Sequence, residues 1–514
     1  MFGNEITGIG QKKIWGSDLF IFNPEYRLRK DKNRIIIHRC KKKYIYTENS
    51  PELEKSICFI HPFFAMLISM FDGKTKTSDI AKKFSAMTSL DITSINRIVE
   101  KLLVSDQTYS TNFDSVQSTI PQNVIVPANG RTIDSMPVLE DFLIPYDELD
   151  HKSRRLNTPS GLMFEINFNC LTDCIYCYAD RSKKNYQALE LRRILELIQE
   201  ARKLGMWSFN ISGGELFLHP NWELILSALI ENDFQPYIST KVPIAKEAMI
   251  KLKDLGINLI QLSLDSVDKN ELKQILQVND KYCRDILECL DNLSKFGFKL
   301  NIKSQITKFN ENSIEHLLKY LLKYQNINRI QIGAAGFSLY KKANSFLPSL
   351  AALKRVDKIT GKYRKNKFQT KIDTTGYPNF EDTHWNPEIR MERFKKRRSC
   401  NANISSFVVL PDGKVTICEE LYWHPKFIIG DLSVQSIEEV WNSKRALELY
   451  RFSKTEIHQE SVCATCPDDE FNSCHENQGV CWKDILKAYG YDNWDYPSPY
   501  CPRAPQPLQK YWIE

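Results

Sequence analysis

The chain has 514 residues, a length that predicts about three domains rather than one. Hydrophobic residues make up 42% and charged residues 26%, which is typical of a soluble globular protein. The net charge of +7 is a mild excess that fits a solvated surface better than a nucleic-acid-binding one. With no run of about 18 apolar residues and no charged start followed by an apolar stretch, neither a membrane span nor a secretion signal is expected.

The 14 cysteines are many for a protein that we expect in the cytoplasm. Disulfides are disfavoured in that reducing compartment. The cysteines are therefore interpreted as metal ligands, and their spacing becomes the main guide to function.

Residues 1–110 predict a β-hairpin followed by three short helices, the pattern of a winged helix. Asp72 and Gly73 should end the first helix, and Thr77 should cap the second. The third helix places five apolar residues on one face, namely Ile92, Ile95, Ile98, Val99 and Leu102. In chain order the predicted elements are strands Asn33–His38 and Lys43–Thr47, a turn at Arg39–Lys42, helices Phe63–Phe71 and Ser78–Ala86, and a helix after Asp91.

Residues 111–160 contain several prolines and polar stretches and are expected to be a linker. Residues 161–340 alternate apolar strands with amphipathic helices, which predicts a parallel sheet with helices outside and fewer units than the eight of a closed barrel. Residues 341–399 are basic and poorly patterned, and residues 400–514 are rich in cysteine and loops. The predicted strands are Met163–Phe168, Trp207–Ser212, Phe234–Ser239, Asn258–Leu264, Lys299–Ile306 and Arg329–Gly333.

Three cysteines follow the first of these strands at the spacing C-x3-C-x2-C, namely Cys170, Cys174 and Cys177. Three thiolates on one loop can hold three irons of a [4Fe–4S] cluster, which leaves the fourth iron open to bind a substrate or cofactor. The loop also lies at the carboxyl end of a strand, where sites of parallel sheets gather. A structural zinc site is the disfavoured alternative, because such sites use four protein ligands.

This motif after the first strand of a partial barrel resembles the radical S-adenosylmethionine (SAM) enzymes. The resemblance implies a partial (β/α)6 barrel and an open iron that is chelated by the methionine amine and carboxylate of SAM. It also implies that one electron cleaves the sulfonium, and that the resulting 5′-deoxyadenosyl radical abstracts hydrogen from the substrate. Tyr176, just before the third cysteine, would lie beside the adenine.

Two further motifs extend the resemblance across the barrel region. A Gly-Gly-Glu triplet ends the second strand, as in this family, where the glycines allow close backbone approach and the glutamate accepts hydrogen bonds from the methionine ammonium. A serine and an aspartate on the fourth strand would reach the ribose or carboxylate of SAM, and a serine on the fifth strand is a further candidate. The implied SAM contacts are Tyr176, Gly213, Gly214, Glu215, Ser263, Asp265 and Ser304.

Two features depart from the family. The third strand ends Ser239-Thr240-Lys241, where many relatives have Thr-Asn-Gly. The stretch Leu272–Tyr282 lacks the arginine that often pairs with the SAM carboxylate. Another group must then hold that carboxylate.

Seven cysteines of the last region resemble the SPASM domain, an extension that binds two auxiliary [4Fe–4S] clusters. Gly413, Gly430 and Trp441 match its pattern, whereas the last three cysteine spacings are longer than usual. The resemblance implies one fully ligated cluster and one with an open position, which a substrate group, an electron or an unidentified residue could use. The two ligand sets would be Cys463, Cys466, Cys474 and Cys501, and Cys400, Cys418 and Cys481.

Zinc knuckles are the alternative for this region. His475, next to a cysteine of the first set, could substitute as a ligand but is more often a surface residue in such a position. Four cysteines are not expected to bind metal. Cys283 and Cys289 are interpreted as buried apolar residues of a helix, and Cys40 and Cys58 lack the spacing of metal ligands.

The implied cofactors are three [4Fe–4S] clusters and SAM. Ten thiolates with three cluster cores would lower the net charge to about +3. This lower charge makes nucleic-acid binding less expected.

A hairpin and helices ahead of a radical enzyme resemble the precursor-peptide recognition element of ribosomal peptide maturation. Such modules bind an unfolded leader as an extra strand, and Arg39–Lys43 would favour an acidic one.

The leading interpretation is a cytoplasmic enzyme that modifies a ribosomally made precursor peptide by radical hydrogen abstraction, giving a crosslink or other oxidative modification. A reductant such as flavodoxin or ferredoxin would supply electrons. The alternatives are sulfatase-maturase-like protein modification, small-molecule radical chemistry, and an iron–sulfur regulator that binds DNA. Glu215 favours an enzyme, and the third helix offers DNA only Arg97 and Lys101. The sequence identifies no general base.

Overall fold

The computed structural model describes residues 18–39, 57–103, 107–114, 116–133, 139–150, 152–180, 185–341, 345–365, 370–376, 387–397 and 400–508. The chain divides into two compact units, Met1–Ser153 and Arg154–Glu514. Within the described ranges, no helix has both the length and the apolar character needed to cross a bilayer.

The first unit combines short antiparallel sheets with three helices. Its strands are β1 (Leu19–Phe22), β2 (Tyr26–Lys30), β3 (Ile35–Arg39), β4 (Ile57–Ile60), β5 (Asp72–Lys76), β6 (Tyr109–Phe113), β7 (Val116–Ile120) and β8 (Ile125–Pro127). Its helices are α1 (Pro62–Ser69), α2 (Thr77–Thr88) and α3 (Ile92–Leu103). The sheets have the strand orders β5-β1-β8, β2-β3-β4 and β6-β7.

The three predicted helices are present, and so is the strand Asn33–His38, as β3. The hairpin differs, because β3 pairs with β2 and β4, and the expected partner Lys43–Thr47 lies outside the described residues. The cap assignment is wrong: Lys76 is the N-cap of α2, while the Thr77 hydroxyl donates to the Asp18 carbonyl at 3.2 Å.

Residues 109–127, most of which we expected in a linker, belong to the first unit. They form β6, β7 and β8, and Val116, Ser118 and Ile120 alternate inward along β7. Ile120 and Ile125 join the core around the three helices. The polar residues between these apolar positions face outward, which is why the segment has the composition of a linker.

The second unit begins with the predicted parallel strands, all six of which form. Its first strands are β9 (Gly161–Glu165), β10 (Ser208–Ser212), β11 (Ile238–Thr240), β12 (Leu259–Ser263), β13 (Lys299–Ile306), β14 (Ile327–Ala334) and β15 (Lys371–Thr375). The helices that accompany them are α4 (Leu191–Lys203), α5 (Trp222–Glu231), α6 (Lys246–Asp254), α7 (Lys269–Leu276), α8 (Asp280–Lys295), α9 (Ile314–Leu321), α10 (Leu350–Lys365) and α11 (Pro387–Lys396).

The parallel strands divide between two sheets. One contains β11-β12-β13-β14-β15, and the other begins with β10-β9. The region from 341 to 399 is thus more regular than its sequence suggests, since it supplies α10 and the added strand β15. Arg329 on β14 fixes that strand through a 2.6 Å ion pair with Asp373.

The cysteine-rich region continues the β10-β9 sheet. It contains β16 (Ser406–Val409), β17 (Lys414–Thr416), β18 (Ile428–Asp431), α12 (Ile437–Trp441), α13 (Lys444–Tyr450), α14 (Asp468–Asn472) and α15 (Trp482–Tyr489). Strand β16 pairs in parallel with β9, so that Val408 lies opposite Met163. Phe407 and Trp441 pack into the same core as Leu162 and Phe164. Barrel and cysteine-rich region therefore share one sheet and one core.

Candidate functional site

The loop with the first three cysteines is held by backbone hydrogen bonds on both sides. On one side, the Ile166 amide donates to the Ser212 carbonyl at the end of β10 (3.0 Å). On the other, the Asp173 and Ile175 amides each donate, at 2.9 Å, to carbonyls in the last turn of α7. Between them the Thr172 hydroxyl lies 3.2 Å from the Cys170 sulfur and 3.3 Å from the Cys174 sulfur. The loop is thus shaped by its neighbours before any metal is considered.

Gly213 and Gly214 allow β10 to approach this loop closely. A Cβ atom on Gly213 would lie 2.4 Å from the Asn167 carbonyl oxygen, and one on Gly214 would lie 2.2 Å from the Asn169 carbonyl oxygen. Gly213 also has a φ of +119°, which L side chains rarely adopt. The glycine pair therefore supports the backbone that leads into Cys170.

Glu215 follows the glycines and is buried, with 4% of its surface exposed. Its carboxylate accepts hydrogen bonds from the Thr240 hydroxyl (2.8 Å) and the Lys241 amide (3.2 Å). Burial raises the pKa of Glu215 to about 7, against the lowering effect of those hydrogen bonds. The group is an acceptor placed to receive a cationic donor.

Lys241, whose backbone amide donates to this carboxylate, carries a cation on its side chain. Its Nζ atom lies 3.0 Å from Asp265 Oδ2 and 2.7 Å from the Tyr176 hydroxyl, which also donates to Asp265. Burial lowers the pKa of Lys241, but the charges of Asp265 and Cys174 outweigh burial and raise it overall. The ammonium of Lys241 and the carboxylate of Glu215 together complement the two ends of an α-amino acid.

The structure brings together most of the candidate SAM contacts, whereas the side chain of Ser304 is turned away from them. Both carboxylate oxygens of Asp265 are used within the protein, Oδ1 by the Gln305 amide at 2.8 Å. The Ser263 hydroxyl accepts from the Gln261 amide side chain at 2.9 Å. Ser304 is fully buried, and its hydroxyl donates to the Leu264 carbonyl at 2.5 Å. Strand alternation puts Ser304 on the helix-facing side of β13 with Ile302 and Ile306, away from the group.

The four cysteines assigned to one auxiliary cluster lie together. Burial raises the pKa of the Cys463 thiol to about 12, and the thiols of Cys501, Cys474 and Cys466 are near enough to add to that rise. Arg397 donates to the Cys474 sulfur at 3.1 Å. Helix α14 fills most of the interval between Cys466 and Cys474, which accounts for the longer spacing there.

The remaining three cysteines lie around Lys483. Cys400 and Cys481 interact with each other, and the charge of Lys483 acts to lower the pKa of Cys400, Cys418 and Cys481 against the larger, raising effect of burial. Lys483 also forms a 2.6 Å ion pair with Glu420. Cys463, Cys466, Cys474 and Cys501 thus lie near one another, and Cys400 lies near Cys481, while Cys418 shares only Lys483 with that pair.

All described cysteines are free thiols. Within the described part of the chain, no three His, Cys, Asp or Glu side chains converge on the position of one metal ion. A mononuclear zinc site needs its ligands about 2.0–2.3 Å from one ion, whereas a [4Fe–4S] cluster distributes thiolates over separate irons.

The other singled-out cysteines and His475 behave as packing residues. Cys283 and Cys289 are buried on α8, as expected, and Cys58 is buried in the first unit. Cys40 lies outside the described residues. His475 packs against Phe471 with a ring distance of 4.3 Å, and burial lowers its pKa to about 4. It is thus an enclosed aromatic residue rather than a surface one.

Fold and cysteine sets together define the class of protein. Residues 164–324 match the Radical SAM superfamily, and residues 400–467 match SPASM, described as an iron–sulfur cluster-binding domain. The chain therefore contains a radical SAM domain followed by a SPASM domain. The predicted fold class, a partial radical SAM barrel with a cysteine-rich C-terminal region, is confirmed.

Individual relatives match part of the chain. Over 184 residues, 35% of the chain, it is 24% identical to the mycofactocin maturase MftC of Mycobacterium tuberculosis (strain CDC 1551 / Oshkosh). It is also 24% identical over 179 residues to MftC of Mycolicibacterium smegmatis. The alignments span 46% and 45% of those proteins, less than half their length.

A solved structure matches over most of the chain. The crystal structure of Streptococcus suis SuiB bound to precursor peptide SuiA aligns with a TM-score of 0.61 at 15% identity. The alignment covers 93% of this chain and 99% of that one. At this identity the likeness establishes a common fold.

Three residues of the second unit were not singled out as site residues by the sequence: Lys241 and the buried Glu165 and Tyr422. Lys241 was noted only as a departure from the family. Glu165 is the one charged residue of the apolar strand β9, which was an available signal. Tyr422 carries no sequence signal, because its position depends on the folded loop after Cys418.

Proposed function

We propose that this chain is an enzyme that modifies a ribosomally made precursor peptide by abstracting a hydrogen atom from it. The product would be a crosslink or another oxidative modification. The observation that carries the proposal is the juxtaposition of the loop of Cys170, Cys174 and Cys177 with Glu215 and Lys241. When bound, a cluster and SAM supply the one-electron chemistry that starts hydrogen abstraction.

The residues of the barrel mouth have separate tasks in this proposal. The three cysteines hold the first cluster. Glu215 accepts the SAM ammonium, and Lys241 binds the carboxylate that an arginine binds in many relatives. Asp265 is a positioning residue, because it orients Lys241 and Tyr176 through hydrogen bonds.

Two auxiliary clusters bring the proposed count to three. Their ligand sets are the group of four that includes Cys463 and the group of three that includes Cys418. The proximity of Cys463 to Cys466, Cys474 and Cys501, and of Cys400 to Cys481, supports this division. The set of three leaves a position open for a substrate group or for electron transfer.

The substrate assignment draws on the relatives and on the first unit. One relative is named a maturase, and the matching solved structure is described as bound to a precursor peptide. In the first unit β2 lies at a sheet edge and carries Arg27, Arg29 and Lys30. An acidic leader could add to such an edge as a strand, through main-chain hydrogen bonds. We place the enzyme in the cytoplasm with flavodoxin or ferredoxin as reductant.

The decisive experiment is anaerobic incubation of cluster-reconstituted protein with SAM and a reductant. The wild-type protein should form 5′-deoxyadenosine, and Cys174→Ala should abolish it. Cys283→Ala is the matched control, since Cys283 is a buried cysteine of α8 and should leave cleavage intact. Absence of 5′-deoxyadenosine from the reconstituted wild-type protein would overturn the proposal.

A further inference from the structure

A buried acceptor with an open hydrogen-bonding position lies next to the cysteine loop. Glu165 is the last residue of β9, and 1% of its surface is exposed. Leu162 and Phe164 face the helices, so alternation puts Glu165 on the opposite face of the sheet. Among the described residues, its Oε1 atom has no hydrogen-bond partner. Buried polar atoms of this kind are rare in folded proteins and call for an explanation.

A buried donor with the same property follows Cys418. Tyr422 is 1% exposed, and within the described residues its hydroxyl has no hydrogen-bond partner. Its ring packs against Phe168 and Tyr340 at centroid distances of 5.6 and 5.4 Å. Its φ is +41°, a strained conformation for a bulky side chain. Strain of this kind tends to persist at functional sites.

The two atoms belong to one region of the second unit. Strand pairing sets Val409 opposite Phe164, so the next residue, Leu410, comes level with Glu165. Leu410 belongs to the same apolar cluster as Tyr422. In agreement, burial and then the charge of Glu165 raise the pKa of Tyr422, with a further contribution from Cys177. The two polar atoms therefore lie in the same region beside the cysteine loop, and no hydrogen bond joins them.

A peptide group complements such a pair. It offers one N–H donor and one C=O acceptor, which match an acceptor on Glu165 and a donor on Tyr422. Burial and Glu419 raise the pKa of Glu165, but a carboxyl group keeps an acceptor oxygen in both protonation states.

We propose that Glu165 and Tyr422 bind the main chain of the substrate peptide at the point of reaction, Glu165 accepting from an amide N–H and Tyr422 donating to a carbonyl. This inference rests on the proposed peptide-modifying function. A segment held there would lie beside Cys177 whatever its side chains. Recognition of the main chain would let the enzyme act in different sequence contexts, while the leader selects the precursor.

The probe is a synthetic pool of acetylated, amidated pentapeptides, compared with a pool in which esters replace the main-chain amides. Binding to the full-length reconstituted protein is measured by ultrafiltration and mass spectrometry. The wild-type protein should bind the amide pool about tenfold more tightly than the ester pool. Tyr422→Phe should lower affinity for the amide pool by about tenfold.

Glu165 is tested by two substitutions. Glu165→Gln keeps an acceptor and should retain the preference for amides, whereas Glu165→Met should lose it. Tyr489→Phe is the matched control, because Tyr489 is fully buried and its hydroxyl already donates to the Pro505 carbonyl at 3.1 Å. Iron content reports whether each variant folds.

Equal binding of amide and ester pools by the wild-type protein would overturn the inference even if every variant failed to fold. Wild-type affinity in both Tyr422→Phe and Glu165→Met would overturn it as well. Formation of 5′-deoxyadenosine without peptide depends on neither result, so failure of this inference and failure of the proposed function are distinguishable.

Discussion

Cys170, Cys174 and Cys177 lie on one short loop, whereas the other seven proposed ligands are distributed from Cys400 to Cys501. The loop is shaped by strand ends and by two glycines that leave no room for side chains. The distributed set is assembled by helices and by charged side chains such as Arg397 and Lys483. The comparison teaches that a locally determined site has a strict spacing, while a site assembled by tertiary contacts tolerates longer intervals.

The largest effect on SAM cleavage should come from the backbone beside the loop of Cys170, Cys174 and Cys177, which is called the first region below. Gly214→Ala places a Cβ against the Asn169 carbonyl, so the loop must move. We expect loss of one cluster's iron and of all 5′-deoxyadenosine formation, measured by iron analysis and chromatography. Gly361→Ala in α10 is the control, because open space surrounds that glycine. Normal cleavage by Gly214→Ala would show that the loop does not depend on the glycine.

Loss of a cysteine from the distributed region, the set between Cys400 and Cys501, should affect the reaction differently from a change in the first region. Cys463→Ala removes one thiol from a set of four that does not adjoin Glu215 or Lys241. We expect iron to fall while some 5′-deoxyadenosine is still formed, but modified peptide should not accumulate. Complete loss of SAM cleavage in this variant would mean that the two regions do not function separately.

Lys241 tests whether charge within the first region replaces the missing arginine. Lys241→Met should weaken SAM binding by about ten- to hundredfold, because a hydrogen bond to a charged group is worth about 1.5–3 kcal/mol. Lys241→Arg should retain part of the affinity. Equilibrium dialysis with SAM measures this without turnover. Lys251→Met is the control, since Lys251 lies on the exposed face of α6; unchanged binding in Lys241→Met would assign the carboxylate elsewhere.

Glu215 should make the affinity for SAM depend on pH. Its pKa of about 7 lies above the ordinary value, and only the ionised carboxylate attracts an ammonium. Affinity for SAM should therefore fall as pH falls through 7, by about tenfold from pH 8 to pH 6. Thr240→Val removes a hydrogen bond to the charged form and should move the inflection to higher pH. If SAM affinity in Glu215→Gln showed the same inflection with pH, Glu215 would be excluded as the source of that inflection.

The smallest effect concerns the reduction potential of an auxiliary cluster in the distributed region. Arg397 donates to the Cys474 sulfur, and hydrogen bonds to cluster sulfurs are among the factors that set reduction potential. Arg397→Met should make the potential of one auxiliary cluster more negative, as measured by a redox titration followed by electron paramagnetic resonance. Lys396→Met, which breaks only a surface pair with Glu392, should leave it unchanged, and an equal shift in both variants would count against a direct bond.

The barrel and the cysteine loop were predictable because their determinants are local. Apolar runs such as Lys299–Ile306 correspond to strands, and the spacing of Cys170, Cys174 and Cys177 is set within a single short loop. The pairing of β16 with β9 was not predictable, since it joins segments far apart in sequence. The face of β13 that Ser304 occupies was not predictable either, because a single alternation step decides it.

The charged and aromatic groups of the site were harder to predict. Lys241 appeared only as a missing family residue, and its role became visible once Asp265 and Tyr176 were beside it. Tyr422 follows a cysteine in a loop whose course depends on β17 and β18. Such residues acquire meaning through neighbours that are distant in the chain.

The parallel pairing of β9 with β16 also affects how the protein is made. During translation β9 leaves the ribosome long before residues 406–409. Until they arrive, one side of β9 has unpaired N–H and C=O groups that could template contacts with other chains. The nascent barrel therefore passes through an interval of exposure that ends when residues 406–409 emerge, so chains truncated before residue 400 should be prone to aggregation.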